Sequence, residues 1–276
     1  MTKPSHLRSP RAMNPALPQH DSLVHMLLAA AQSHPDITAV IYADRRISYA
    51  EFGRAAAGLA RELAKQGLSR GKRAILMMPN SIEMDVALMA VMATGAQVAP
   101  VNPFLTLGEL EKALVDIDAS IVIADQTTAQ KAADVARALG IPLQMQLGEG
   151  GTTLDAWTGD ASLSLDPATL PTLDDLALII YTGGSTGTPK GVNHTHRGLL
   201  AGVYQHLSVW PGTYGGEVFL NVAPMFHIWG LAYATWVPIY MQSTLVMVPR
   251  YEPDKVVKAL SDHKITIFGG GPAPIY

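Results

Sequence analysis

The sequence has no cysteine, few aromatic residues (7%) and few charged ones (16%). Without cysteine there is no disulfide, no thiolate metal site and no cysteine nucleophile. The formal charge of −3 gives no general reason to expect nucleic acid as a partner. A long apolar run is also lacking. The most apolar stretch, Val86 to Val101, is broken by Thr94, Gly95, Gln97 and Pro100. It reads as a buried helix with its trailing segment, not as a transmembrane span. The first residues are not expected to act as a signal peptide, since Pro4, Pro10, Pro15 and Pro18 stand where an apolar stretch is needed. Residues 1–20 are expected to form a loose tail, and a reducing, cytoplasmic setting fits these absences.

What is present describes a globular chain. Its 276 residues are 48% hydrophobic, enough to bury a large core. Ser48 and Glu51 form a capping-box pair, followed by an apolar stripe of Phe52, Ala55, Leu59 and Leu63, with Gly67 placed to end the helix. Thr106 and Glu109 make a second such pair, opening a helix to about Ile117. Further helices are expected over Glu83–Ala93, Ala129–Leu139 (closed by Gly140), His196–Val209 and from Pro253 to about His263. Strands are expected at Arg73–Met78, Ile121–Ala124, Leu176–Tyr181, Val218–Val222, Thr244–Val248 and Ile265–Phe268. Glycines and prolines across residues 146–172 mark a connecting loop. The alternation predicts an α/β fold of layered, mostly parallel sheets flanked by helices.

The sharpest local feature is Tyr181-Thr-Gly-Gly-Ser-Thr-Gly-Thr-Pro-Lys-Gly-Val192. Its glycines free the backbone so that successive N–H groups can turn toward one anion. Thr182, Ser185, Thr186 and Thr188 add hydroxyls, and Lys190 adds a positive charge. Together with Gly183, Gly184 and Gly187 they describe a polyphosphate cradle. It is not a Walker-type loop, because Pro189 precedes the lysine and Gly191 comes directly after it. Gly183 to Gly187 also matches the G-x-S-x-G elbow of serine hydrolases, with Ser185 as nucleophile. That elbow needs a helix directly after the serine, and Gly187, Thr188, Pro189 and Gly191 delay one. His194 and His196 are spaced as H-x-H, too little for a metal site, and are read as loop and helix-start residues.

The glycine-rich string resembles the phosphate loop of the adenylate-forming superfamily, most closely its acyl-CoA synthetases. Other stretches resemble the family in the same order: Ile47 to Phe52, Pro79 to Glu83 leading to Thr94 to Pro103, and Pro224-Met-Phe-His-Ile-Trp-Gly230. The resemblance runs from about residue 21 to the end. It implies that a carboxylic acid is activated with ATP to acyl-AMP, then transferred to coenzyme A, with Mg²⁺ in attendance. Thr182 to Thr188 and Lys190 would hold the β- and γ-phosphates. His227 would lie near the acyl carboxylate. Trp229 and Gly230 would belong to the acid site, with Leu231, Ala232 and Tyr233 as further candidates to line an acyl pocket. Amino-acid-activating members carry an aspartate in the block matching Pro224 to Gly230. None stands here, so a buried ammonium would lack a partner, which favours a fatty or aryl acid. No protein metal ligand is assigned, and a homo-oligomer is left open. The family's Tyr-Gly-x-Thr-Glu and Thr-Gly-Asp blocks and its late lysine are not in the sequence. Residues 21–276 are therefore expected to be a truncated large adenylation domain, inactive alone. A non-catalytic binding protein on the same half-fold is the alternative.

Overall fold

A computed structural model describes residues 19–182, 189–209, 212–249 and 251–269. Two sheets share one core. The first runs in the order β2 (Arg45–Ser48), β1 (Thr38–Tyr42), β10 (Thr244–Met247), β9 (Val218–Asn221), β11 (Ile267–Phe268). The second runs β6 (Leu143–Leu147), β5 (Ile121–Asp125), β3 (Arg73–Met77), β4 (Gln97–Pro100), β7 (Leu176–Thr182), β8 (Lys190–Thr195). Neighbours are parallel except in the β1–β2 and β7–β8 pairs. The expected α/β class and layering are what the chain forms.

Helix α3 (Ile82–Ala93) explains how the layers join. It packs on α1 (Leu23–Ser33), on α2 (Tyr49–Lys65) and on strands of both sheets. Every residue from Ile82 to Met92 is buried, Glu83 and Asp85 included. A helix enclosed on all sides needs no polar face, so its sequence shows no amphipathic stripe.

Both capping boxes are present. Ser48 and Glu51 close the start of α2, and Thr106 and Glu109 that of α4 (Leu107–Leu114). Helix α5 (Ala129–Leu139) ends on Gly140, whose φ of 67° is the left-handed conformation glycine adopts without strain. Helix α4 stops at Leu114, short of the expected Ile117, and Asp118 turns the chain at φ 49°.

Four expectations need correction. The tail's described end is not loose: the His20 N–H donates to the Tyr204 hydroxyl at 3.2 Å, and its ring meets Tyr240 edge-on. Residues 1–18 lie outside the described set. The 146–172 segment is no plain loop. It begins inside β6, holds helix α6 (Asp155–Thr158), and buries Leu154, Leu163, Leu165 and Leu170 in the main core. Strand β8 stands where a loop leading to α7 (His196–Val209) was expected. Finally, α1, β1, β2, β4 and β6 escaped the sequence reading. Beyond the short α8 (Ile228–Leu231), the chain makes a π-helical turn (Ala232–Trp236) and then α9 (Val237–Tyr240). Helix α10 (Pro253–Asp262) opens with proline in its first turn, as read. Among the described residues, no helix is long and apolar enough to cross a membrane.

Candidate functional site

The glycine-rich string joins two paired strands. β7 and β8 run antiparallel, and their register sets Thr182 opposite Lys190. Both are exposed. Gly183, Gly184, Ser185, Thr186, Gly187 and Thr188 lie outside the described residues. Among the described residues no carboxylate pairs with Lys190, so its charge is open to a ligand. Gly191 has a packing reason: a Cβ there would stand 2.6 Å from the Ile179 side chain. The hydrolase reading of Ser185 loses support, because the next described element, β8, is a strand and not the helix the elbow requires.

His194 sits on β8, not in a loop, while His196 opens α7 and is fully buried. The His196 Nδ1 accepts from the Leu23 N–H at 3.3 Å, and burial lowers this imidazole to about 4. His196 therefore anchors α1 to α7 as a neutral ring. Among the described residues no three potential metal ligands cluster.

The block from Pro224 to Gly230 comes after β9 and is held from the other sheet. Asn80, buried after β3, donates to the Ala223 carbonyl at 2.8 Å and accepts from the Met225 N–H at 2.8 Å. Phe226 meets Phe104 edge-on. Two of the stretches that carry the family resemblance, Pro79 to Glu83 and Pro224 to Gly230, thus meet in space. His227 caps α8, its Nδ1 accepting from the Trp229 N–H at 3.2 Å. In the neutral ring this leaves the proton on Nε2, free to donate. His227 is exposed.

Trp229, 46% exposed, stacks on Tyr233 at 5.5 Å between centroids and 10° between planes. The two rings form one wall of a cavity of about 290 Å³ that continues to Ala232 and Trp236. The opposite wall is α7, with Gly198, Gly202 and His206. The lining holds no carboxylate. Burial lowers the His194 and His206 imidazoles from their ordinary value, which favours the uncharged form.

Of the acyl-pocket candidates, Trp229, Ala232 and Tyr233 line this cavity, whereas Leu231 is fully buried in the core behind them. Gly230 does not line it. A Cβ there would lie 2.0 Å from the Pro224 carbonyl oxygen, so the glycine lets α8 close onto its own lead-in. Sequence reasoning missed the α7 wall. Its signal was the pair Gly198 and Gly202, four apart in an expected helix.

Comparison with known proteins gives the family and the fold. The profile of the AMP-binding enzyme family matches residues 27–275. The chain belongs to that family. A feruloyl-CoA synthase from Amycolatopsis sp is 32% identical over 88% of this chain and 47% of its own length. A long-chain-fatty-acid–CoA ligase from Bacillus subtilis is 27% identical over 91% of this chain and 50% of its own. The N-terminal domain of FACL13 from Mycobacterium tuberculosis, a solved structure, matches with a TM-score of 0.80 at 26% identity, over 93% of this chain and 64% of that one. This AMP-binding chain spans about half the length of the curated relatives it matches.

Proposed function

We propose that this chain carries the acid-binding and polyphosphate-binding parts of an acyl-CoA synthetase acting on a fatty or aryl acid. The apolar cavity lined by Ile228 and Trp229, the residues that follow His227, is the observation that carries the reading, because its lining has no carboxylate, lysine or arginine and suits a hydrocarbon tail. An ammonium group buried there would find no carboxylate, which disfavours an amino acid.

In the first step a carboxylate oxygen attacks the α-phosphorus of ATP, and the bond to pyrophosphate breaks. In the second the thiol sulfur of coenzyme A attacks the acyl carbon, AMP leaves and the thiol proton is lost. The chain's work in this scheme is positioning and charge neutralisation. Thr182 and Lys190 flank the mouth of the hairpin and, with Gly183 to Thr188, hold the β- and γ-phosphates. Mg²⁺, when bound with ATP, neutralises phosphate charge. His227 donates from Nε2 to the acid's carboxylate, and Trp229 faces the tail. Residues 21–276 form the large N-terminal part of the adenylation unit, which works in the cytoplasm.

Calorimetric titration of the 276-residue chain with pyrophosphate tests the hairpin. Lys190→Ala is expected to weaken binding by about tenfold, the loss of one charge-assisted contact of roughly 1.5 kcal/mol. An unchanged affinity would remove Lys190 from the phosphate site. Acid-dependent ATP–pyrophosphate exchange by these residues alone is expected to be absent. Its presence would show that no further segment is needed.

A further inference from the structure

Glycine inside a helix is costly, because it loses more backbone freedom on folding than any other residue. Most of this chain's buried glycines have a visible reason. An added Cβ at Gly58 would strike Trp157 at 2.4 Å, and one at Gly53 would crowd Ala31 at 3.1 Å. Helix α7 carries two glycines without such a reason. Neither has a left-handed φ. Among the described residues, a Cβ at Gly202 would meet nothing within 4 Å, and one at Gly198 would come no closer than 3.7 Å, to the Thr195 hydroxyl.

Spaced four apart, the two lie on one face of the helix. That face is the wall of the cavity opposite Trp229 and Tyr233. Both glycines are exposed, as is Trp229, because the space between them is empty. The missing side chains are thus what gives the cavity its width. Any larger residue at 202 would project into it.

We propose that Gly202, backed by Gly198, sets the size of the acyl group, and that the cavity takes acids with a ring or a long alkyl tail in preference to acetate-sized ones. This rests on the acid-activating reading above and makes Gly202 its specificity-determining residue. A small acid would leave the stacked Trp229 face and the bare helix face uncovered, and would gain little apolar burial.

Tryptophan-emission titrations of the 276-residue chain with acetate, octanoate and cinnamate test it. Octanoate and cinnamate are expected to bind and acetate to bind far more weakly. Gly202→Leu is expected to weaken the two larger acids by about tenfold or more. Gly202→Ala is expected to raise Tm, since alanine favours helix, while still weakening them several-fold. That pairing of a firmer fold with poorer binding would not arise from a merely structural glycine, and it decides the matter if the leucine variant fails to fold. Gly108→Leu, on the exposed face of α4, is the control and is expected to change neither acid. Equal affinity of the wild type and both Gly202 variants for octanoate and cinnamate would overturn the size role and leave the acid-activating reading standing. No binding of any acid to the wild type would overturn both.

Discussion

At Gly230 a side chain has nowhere to go, since its first carbon would overlap the Pro224 carbonyl. Gly230→Ala is therefore expected to destabilise the chain by about 1–3 kcal/mol through overpacking, read as a lower urea midpoint. Asp85 is a different case. It is fully buried on α3, with Oδ1 accepting from the Thr235 hydroxyl at 2.6 Å and Oδ2 without a partner. Desolvation raises its pKa from 3.8 to about 7, against a smaller opposing effect of the Thr235 bond. The folded state thus holds a proton that the unfolded state releases. Its contribution is full below about 3.8 and is lost as pH rises through about 7. Melting temperatures across that window are expected to fall with rising pH in the wild type. In Asp85→Asn this part of the slope should vanish, and a slope that persists would mean that Asp85 is ionised in the fold. The carboxylate was invisible in the sequence as a special group, because its burial comes from neighbours far along the chain.

Helix starts were the most legible elements. Ser48 with Glu51, and Thr106 with Glu109, each satisfy free N–H groups by contacts three residues long, so tertiary structure has little to add. Ser48→Ala is expected to cost about 1 kcal/mol in thermal unfolding. A loss near zero would mean that Glu51 and the packing of α2 hold the helix start without it. The β-branched buried strands β3, β5 and β7 were legible for the same local reason, whereas β4, just as buried but reading Gln-Val-Ala-Pro, was not. Strand β8 was not. Its residues Lys190 to Thr195 are mostly polar and sit on the sheet's edge, so only pairing with β7 makes them a strand. The π-helical turn was equally hidden. It lies in a run where Tyr233, Thr235, Trp236 and Val237 are all buried, so consecutive positions leave no helical period to read.

Across the whole molecule, the site depends on contacts between the two sheets. Asn80, from the six-stranded sheet, binds both sides of the turn leading to His227. Arg45 on β2 reaches Glu83 on α3 at 2.7 Å. Asn80→Ala would leave the buried Met225 N–H unpaired, at a cost of about 1–3 kcal/mol. It is expected to lower Tm and to weaken acid binding together. A lower Tm with unchanged acid affinity would show that His227 and Trp229 are positioned without it.

The sequence by itself determined the α/β class, most helix bounds and the two motif stretches, because caps, periodicity and glycine-rich turns are short-range physics. It also offered Trp229, Ala232 and Tyr233 as pocket candidates, because they lie in or just after the Pro224 to Gly230 stretch. Only the tertiary structure decided that Gly230 and Gly191 serve packing, that Leu231 faces the core and that α7 forms the second wall of the cavity. Each of those roles is set by an atom from another part of the chain, and no local pattern of residues records which distant atom will arrive.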